Sequence, residues 1–472
     1  MAVRPRARRS AAGERLSPQA QRAVNIVGAG LAGSLLALLL ARRGLAVTLH
    51  ERRPDPRQTQ PERGRSINLA LAARGMLALE RAGVMDRVRP LLIPMRGRMV
   101  HELSGQTALQ PYGQREHEVI WSVGRAALNR VLIEEAARHA GVSVRFNQQC
   151  LGAEVGRDRL RFRDEASGAL HESALTPTIA ADGAGSAVRA SLAAAGHVSV
   201  HEEWLDHDYK ELSVPPAAAR QALERHALHI WPRGGFMLIA LPNTDDSFTA
   251  TLFLARAGAV SFAALARPPA VAEFFDRQFA DVAPLMPDLL AEFASHPQGQ
   301  LGTVHASAWQ VAGRVLLLGD AAHAIVPFHG QGMNAAFEDC AVLDALLERQ
   351  ADWPTVFAQF EQSRRPNAAA IAQMALENYT EMRDAVLDAR FVRRRDLALG
   401  LERRFPDRFI PRYSMVMFHP EIAYAEALRR GAVQAQLLEE LDRGTGGEPD
   451  GALAEKLITE RLSPISSARA RS

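Results

Sequence analysis

The feature that most constrains this chain is a glycine-rich turn between a strand and a helix near its N-terminus. Residues 28–33 read Gly-Ala-Gly-Leu-Ala-Gly, after an apolar run at residues 23–27 and before a Leu- and Ala-rich segment at residues 31–43. A second strand is predicted at residues 46–51, so the pattern indicates a βαβ unit of a parallel sheet. Such a turn lets a pyrophosphate approach backbone N–H groups at a helix N-terminus. We therefore predict a dinucleotide site formed by Gly28, Gly30, Gly33 and, for the ribose hydroxyls, Glu51.

Two later segments carry an aspartate beside a glycine after a strand-like run. Residues 178–189 read Thr-Ile-Ala-Ala-Asp-Gly-Ala-Gly-Ser-Ala-Val-Arg, and residues 314–323 read Arg-Val-Leu-Leu-Leu-Gly-Asp-Ala-Ala-His. They resemble the Asp-Gly and Gly-Asp motifs of the single-component FAD-dependent aromatic hydroxylases. The resemblance implies that FAD is the dinucleotide, that Asp182 and Gly183 lie in its site, and that Asp320 holds its ribityl or ribose portion.

A third glycine-rich stretch, residues 327–334, leads into a helix predicted from Gly332 to about Arg349. A helix N-terminus is partially positive, which suits the pyrimidine end of a flavin ring that becomes anionic on reduction. We assign Gly330, Gly332, Met333 and Asn334 to the cofactor on this basis. The sequence has no second glycine fingerprint and no CxxxxC pair, which argues against disulfide reductases. Nicotinamide would then bind without a Rossmann domain of its own.

The order of predicted elements indicates an α/β fold. Its FAD-binding, Rossmann-like domain has a mostly parallel sheet, and strand-like runs in the middle third, separated by turn residues, predict a substrate domain with an antiparallel β-sheet. The C-terminal part is predicted to be mainly helical. The predicted divisions are a disordered basic tail at residues 1–22, the FAD-binding domain at 23–200 and 311–350, the substrate domain at 201–310 with contributions from about 85–120, and a C-terminal helical region at 351–472.

Charge and cysteine content narrow the class of protein. The first 22 residues carry six arginines and one glutamate, whereas the whole chain has a net charge of +3, so the remainder is slightly acidic. We therefore predict no nucleic-acid partner. The two cysteines are far apart in sequence, which predicts neither a disulfide framework nor a metal site and fits a reducing cytoplasm. No apolar stretch approaches the roughly 20 residues of a membrane span.

Several segments resemble one family within these hydroxylases, the kynurenine 3-monooxygenases. The similarity runs from about Val24 to about Pro420, and its most specific stretches are residues 64–71, 95–101, 121–129, 209–212 and 325–334. The apolar C-terminal membrane anchor of mitochondrial relatives is missing from this sequence. The resemblance therefore implies a soluble, bacterial form without a membrane anchor, and we consider a homodimer for its assembly.

The resemblance also implies the residues of the substrate site. Arg98 and Tyr112 fall where an arginine and a tyrosine hold the kynurenine carboxylate, and a planar guanidinium fork suits that group. Arg125 falls at the cofactor. Asn378 and Met382 are four residues apart in a helical stretch and so share one face. The remaining expected substrate contacts are Phe328, His329 and Tyr413.

The implied reaction converts NADPH, O₂ and L-kynurenine to 3-hydroxy-L-kynurenine, NADP⁺ and water through a flavin C4a-hydroperoxide. No side chain is assigned as an obligatory catalytic base, because the aniline amine already makes the ring electron-rich. Two alternatives stay open at this point. One is a hydroxylase of another aromatic acid such as hydroxybenzoate or salicylate, and the other is a flavin-bound interaction protein without turnover.

Overall fold

The computed structural model describes residues 22–58, 68–350, 352–385, 388–443 and 451–465. The predicted disordered tail lies outside these residues except for Arg22, and so do residues 64–67 of the segment at 64–71. Within the described ranges, no helix is both long enough and apolar enough to cross a membrane.

Strands outnumber helices in the first two thirds of the chain, and helices dominate the last third. The strands are β1 (Ala23–Val27), β2 (Ala46–His50), β3 (Asn68–Leu71), β4 (Ile93–Met95), β5 (Gly97–His101), β6 (Thr107–Pro111), β7 (Ile120–Gly124), β8 (Val142–Arg145), β9 (Gln148–Glu154), β10 (Arg159–Asp164), β11 (Leu170–Ala174), β12 (Thr178–Ala180), β13 (Val200–Val214), β14 (Leu228–Pro232), β15 (Met237–Pro242), β16 (Phe248–Ala255), β17 (Gln298–Ala306), β18 (Gln310–Val311) and β19 (Val315–Leu317). The helices are α1 (Leu31–Arg42), α2 (Ala73–Ala82), α3 (Met85–Val88), α4 (Arg125–Arg138), α5 (Ala187–Ala194), α6 (Pro216–Ala219), α7 (Pro268–Gln278), α8 (Leu289–Ser295), α9 (Asp320–His323), α10 (Gly332–Arg349), α11 (Trp353–Thr380), α12 (Ala389–Arg404), α13 (Arg412–Phe418), α14 (Tyr424–Arg443) and α15 (Gly451–Arg461).

The first sheet has the strand order β18-β19-β12-β1-β2-β8. Its pairings are parallel except for β18 with β19, which confirms the prediction of a mostly parallel sheet. Strands β12 and β19 are buried along their whole length, and their apolar side chains share one core with those of α1 and α10. The predicted βαβ unit is β1, α1 and β2, and it ends at His50, one residue before Glu51.

The second sheet has the strand order β17-β13-β16-β15-β14-β5-β6. Its long strand β13 pairs antiparallel with β16 and β17, as the middle third predicted. One pairing departs from the predicted antiparallel sheet, because β5 joins β14 in parallel. β5 comes from much earlier in the chain, so its direction is not set by a hairpin turn next to β14. This pairing brings Arg98 on β5 into the second sheet.

Two three-stranded sheets were not predicted. One has the order β11-β10-β9 and the other β3-β7-β4. The strands of the β11-β10-β9 sheet are partly exposed, and those of the β3-β7-β4 sheet are only 3 to 5 residues long. The helix predicted from Gly332 to Arg349 is α10 with the same bounds, and the C-terminal part is helical as predicted.

A buried ionic network joins α10 to the elements around it. The Asp339 carboxylate on α10 accepts hydrogen bonds from Arg364 Nε at 2.6 Å and from the Gly319 N–H at 3.2 Å, and it lies 2.6 Å from His323 Nε2. The side chains of Asp339, Arg364 and His323 are all buried. Burial alone raises the pKa of Asp339, but His323 and Arg364 outweigh it and hold that pKa below its usual range. The carboxylate is therefore ionised, and it fixes the loop that carries Gly319 and Asp320.

Replacing Asp339 with alanine should strongly destabilise the protein. The substitution removes one of the two carboxylates of the buried Arg364, which keeps Glu338 at 2.6 Å, and it leaves His323 and the Gly319 N–H without their acceptor. We expect a cost of about 3 kcal/mol, at the low end for breaking a buried ion pair. The free energy of unfolding, measured by urea denaturation, should fall by that amount. Asp344→Ala on the same helix is the matched control, because its partners Arg43 and Arg81 can turn to solvent. Its effect should be about 1 kcal/mol or less, and equal effects of the two variants would contradict the network.

Candidate active site

The glycine turn after β1 packs tightly on one side and is open on the other. A Cβ at Gly33 would lie 1.9 Å from the Gly28 carbonyl oxygen, and Gly28 itself has a φ of +97° with Ala181 O 2.5 Å from where its Cβ would be. A Cβ at Gly30 would meet nothing within 4 Å. The turn therefore leaves space at Gly30, beside the start of α1, where a pyrophosphate can approach the backbone.

Two side chains near this turn offer acceptors for hydroxyl groups. Glu51 is buried, its Oε2 accepts from the Ala29 N–H at 2.9 Å, and its Oε1 accepts from the Arg53 N–H at 3.0 Å. Asn129 on α4 donates to the Ala29 carbonyl at 3.2 Å. Its Oδ1 is buried and has no hydrogen-bond partner among the described residues. An unpartnered buried acceptor at this position fits a ligand that donates hydrogen bonds.

The aspartates of the two predicted motifs lie in different environments. Asp182 accepts from Ser186 Oγ at 2.6 Å and from the Val188 N–H at 3.3 Å, so it caps α5. Burial raises the pKa of Asp182 although these donors oppose it. Asp320 is exposed at the first position of α9. Gly183 is half-buried with open space at its α-carbon, and Arg125 is exposed at the first residue of α4.

The start of α10 is fixed by the side chain of Asn334. Its Oδ1 accepts from the Ala72 N–H at 2.8 Å, and its Nδ2 donates to the carbonyls of Ala70 and Gly330, both at 2.8 Å. The side chain therefore positions the loop, and what Asn334 can offer a cofactor directly is its backbone N–H in the first turn. Gly332 and Met333 lie in the same turn and are half-buried.

Four of the expected substrate residues lie together. The Arg98 guanidinium carbon lies 4.9 Å from the ring centroid of Tyr413 and 5.7 Å from that of Tyr112. The two phenol rings stack at 5.8 Å, and His329 stacks on Tyr413 at 5.3 Å. β5, the end of β6, α13 and the loop before α10 thus deliver Arg98, Tyr112, Tyr413 and His329 to one place. We call these four residues the clamp.

Burial decides the protonation states in the clamp. It raises the pKa of the Tyr112 phenol well above its usual range and raises that of Tyr413 despite the opposing charge of Arg98. Both phenols are therefore protonated and can donate hydrogen bonds. Burial also lowers the pKa of His329 to about 3, so the imidazole is neutral at physiological pH. Arg98 is then the cation of the clamp, and it suits an anionic group of a ligand.

The other expected substrate residues form the wall beside the clamp. Phe328 stacks on Tyr379 with ring centroids 3.9 Å apart. Asn378 donates from Nδ2 to the Phe328 carbonyl at 2.7 Å and lies 3.2 Å from Met382 Sδ. The predicted shared face of Asn378 and Met382 is confirmed, although Met382 sits in a single π-helical turn, Glu381–Ala385, after α11. The wall is apolar and buried.

Glu381 is a residue that the sequence analysis missed. Its Oε1 lies 3.6 Å from Arg98 Nη1, so a carboxylate already stands beside the cation of the clamp. The signal that could have found it is its position three residues after Asn378 and next to Met382, on the helix that had already been assigned to the site. Tyr379, which stacks on Phe328, was also missed, although it directly follows Asn378 on the same helix.

Comparisons with known proteins identify the family of this chain. The model of the FAD binding domain family matches residues 21–375. The kynurenine 3-monooxygenase of Stenotrophomonas maltophilia (strain K279a) is 50% identical over 420 residues, which cover 89% of this chain and 92% of the relative. The kynurenine 3-monooxygenase of Xanthomonas axonopodis pv. citri (strain 306) is 47% identical over 456 residues, covering 96% of this chain and 100% of the relative.

Solved structures share the fold at low sequence identity. The tetrameric form of 2-methyl-3-hydroxypyridine-5-carboxylic acid oxygenase superposes with a TM-score of 0.63 at 21% identity, over 77% of this chain and 93% of that one. PqsL of P. aeruginosa, in complex with 2-aminobenzoylacetate, gives a TM-score of 0.60 at 21% identity over 76% and 96% of the two chains. The fold is therefore that of FAD-binding aromatic hydroxylases.

The two glycines of the turn should respond differently to alanine. Gly33→Ala forces a Cβ against the Gly28 carbonyl and should destabilise the protein by about 1 to 3 kcal/mol even without flavin. Gly30→Ala should leave the stability of the flavin-free protein nearly unchanged but lower its FAD affinity, because the Cβ enters the open space. Urea denaturation of the stripped protein and FAD titration by fluorescence quenching separate the two effects. Normal FAD affinity in Gly30→Ala would mean that the pyrophosphate lies elsewhere.

Proposed function

This chain belongs to the kynurenine 3-monooxygenase family of FAD-dependent monooxygenases, and from that premise we propose that it hydroxylates L-kynurenine. The balanced reaction is L-kynurenine, NADPH, O₂ and a proton to 3-hydroxy-L-kynurenine, NADP⁺ and water. The observation that carries the substrate assignment is the clamp, a buried guanidinium flanked by two protonated phenols. A carboxylate entering such a place gains a two-point ion pair with Arg98 and hydrogen bonds from the phenols.

Glu381 favours an amino acid over a simple aromatic acid. A substrate that brought only a carboxylate to Arg98 would meet repulsion from Glu381, whose Oε1 is 3.6 Å from the same guanidinium. A zwitterionic amino acid places its ammonium group within reach of Glu381 while its carboxylate binds Arg98. This supports kynurenine over hydroxybenzoate or salicylate, which have no ammonium group.

The remaining wall residues orient the ring and keep water out. Phe328 and Tyr379 form a stacked apolar surface beside the clamp, and Asn378 holds the Phe328 backbone in place. Neutral His329 adds a flat, uncharged ring. FAD, when bound, supplies the redox chemistry by accepting a hydride from NADPH and activating O₂. The protein need not supply a base, because the ortho amine already directs the oxygen to the neighbouring ring carbon.

The residues proposed to hold FAD are the open turn and its neighbours. Gly28, Gly30 and Gly33 shape the pyrophosphate turn, and Glu51 accepts from the ribose. The exposed carboxylate of Asp320 accepts hydrogen bonds from the ribityl or ribose hydroxyls. Asp182 and Gly183 line the same cofactor site. The first turn of α10, from Gly332 to Asn334, with Gly330 before it, faces the flavin ring. Arg125 is proposed at the exposed pyrophosphate side.

Two broader expectations belong to the same proposal. A cytoplasmic location is supported by Cys150 and Cys340, which are both buried and free. The division of the chain into an FAD-binding domain, a substrate domain and a C-terminal helical region is supported by the two large sheets and the C-terminal helices. The homodimer stays a prediction.

The clamp predicts a graded loss on mutation. Arg98→Ala should lower kcat/KM for kynurenine by a factor that corresponds to about 3 to 5 kcal/mol of transition-state stabilisation. The carboxylate then lies in a largely dry site without its counter-ion. Tyr112→Phe should cost less, since it removes one hydrogen bond worth about 1.5 to 3 kcal/mol to a charged group. Arg98→Lys should rescue only in part, because an ammonium lacks the planar fork. Wild-type kcat/KM in Arg98→Ala with FAD bound would remove the carboxylate assignment.

Glu381 predicts discrimination by the amino group. Glu381→Gln should raise KM for L-kynurenine, while the analogue that lacks the α-amino group should bind this variant as well as or better than wild type, because the repulsion is gone. Equilibrium binding followed by flavin absorbance, with both ligands and both proteins, gives the interaction free energy. Equal losses for the two ligands would show that Glu381 does not meet the ammonium.

One steady-state assay tests the function as a whole. NADPH consumption and product formation should be measured with L-kynurenine, anthranilate and 4-hydroxybenzoate. We expect coupled turnover with kynurenine alone. Coupled turnover with 4-hydroxybenzoate instead would favour the other aromatic hydroxylases, and flavin binding without any stimulated NADPH consumption would favour a flavin-bound interaction protein.

A further inference from the structure

Gln331 stands directly before the first turn of α10, and its side chain is engaged by the C-terminal helices. The residue is fully buried, and it occupies the N-cap position of α10 without a side-chain hydrogen bond to the helix start. Its Oε1 accepts from the Tyr424 hydroxyl at 2.7 Å, and its Nε2 lies 3.0 Å from Met417 Sδ. The position from which a side chain often caps the first N–H groups is thus held by α13 and α14 instead.

Tyr424 is a rigid partner for this bond. It is the first residue of α14, and it is fully buried. Burial raises the pKa of its phenol well above the usual range, so the hydroxyl is protonated and donates to Gln331. The Arg74 guanidinium carbon lies 4.0 Å from the ring centroid, and the same guanidinium contacts the Ile422 carbonyl. The phenol ring is therefore held in place, and the amide of Gln331 has to meet it there.

Gln331 also takes part in the backbone hydrogen bonding of α10. Its carbonyl accepts from the Ala335 N–H at 2.8 Å, so a shift of Gln331 moves the N–H groups of the first turn with it. Asn378 holds the same loop three residues earlier, at the Phe328 carbonyl. The bond to Tyr424 adds a direct tie between α14 and the start of α10, and it acts on the residue next to the first turn.

We propose that Tyr424 is a positioning residue that acts through Gln331 on the first turn of α10 and thereby sets the reduction potential of the flavin. The inference rests on the proposed placement of the flavin ring at that turn. A helix N-terminus stabilises negative charge only close to its first turn, and the flavin gains negative charge on reduction. A first turn that is no longer held in place therefore stabilises reduced FAD less, relative to oxidised FAD.

The test compares Tyr424→Phe with Gln331→Met, because each removes the hydrogen bond and nearly keeps the side-chain volume. The affinity for reduced relative to oxidised FAD should fall about three- to tenfold, which lowers the two-electron midpoint potential by about 15 to 30 mV. Reductive titration of the FAD-loaded protein against a reference dye, without kynurenine, measures this potential. The double variant should show the same shift as either single variant, since all three proteins lack the same bond.

The matched control is Gln434→Met on the same helix α14. Gln434 is buried and donates from Nε2 to the Ile410 carbonyl at 2.8 Å, so its bond ends before α13 and not at the loop before α10. The control should lower Tm, as the test variants do, and keep the wild-type midpoint potential. A purely structural role of Tyr424 would instead give a lower Tm and an unchanged potential in all of these variants.

The result does not depend on the substrate of the proposed function. Kynurenine hydroxylation by wild type with an unchanged potential in Tyr424→Phe would overturn the inference and leave the proposed function standing. A lowered potential in a protein that does not hydroxylate kynurenine would do the reverse. The inference is equally overturned if Gln434→Met shifts the potential as much, or if the two single shifts add in the double variant. Should Tyr424→Phe not fold, Gln331→Met gives the same readout.

Discussion

The arrangement of the site depends on how α10 is anchored, and the buried carboxylate of Asp339 provides that anchor. It holds Arg364 on α11, His323 on α9 and the backbone of Gly319 at once. One turn earlier, Asn334 ties the start of the same helix to Ala70 and Ala72. A buried charge without a partner is strongly unfavourable. Moving α10 would separate Asp339 from its partners, so these bonds fix the position of α10 relative to the first sheet. The two loops that we propose to hold the flavin, at Asp320 and at Gly330, lie beside this helix and depend on its position.

Much of this framework could be predicted from the sequence, because it is encoded locally. The β1–α1–β2 unit has buried apolar strands around a glycine turn, and α10 begins and ends where its pattern indicated. The parallel pairing of β5 with β14 could not be predicted, since nothing within either strand specifies a partner more than a hundred residues away. The β9–β10–β11 sheet was missed although β10 alternates charged and apolar residues, because its partners β9 and β11 show no such alternation.

The candidate site divides in the same way. The glycines could be identified by local chemistry, and the residues of the clamp only by resemblance, since Arg98 alone reads as an ordinary surface charge. Asn334 was assigned to the cofactor, yet its side chain is used by Ala70, Ala72 and Gly330. Glu381 was missed because its meaning comes from Arg98, which lies almost three hundred residues earlier. A functional residue can be predicted from the sequence when the residues it contacts are close in sequence. It cannot be predicted when only the fold brings its partners together, as with Glu381 and Arg98.

The clamp combines residues from the second sheet with residues that lie beyond the match to the FAD binding domain family. The match to the FAD binding domain family ends at residue 375, and Glu381, Met382 and Tyr413 lie beyond it. Arg98 and Tyr112 come from the second sheet, so the site is dry only when the C-terminal helices pack onto that sheet. Without them Arg98 would be a hydrated surface charge, and a surface ion pair contributes at most about 1 kcal/mol. The C-terminal helices therefore keep Arg98 buried, and under the proposed function the affinity of Arg98 for a substrate carboxylate depends on them.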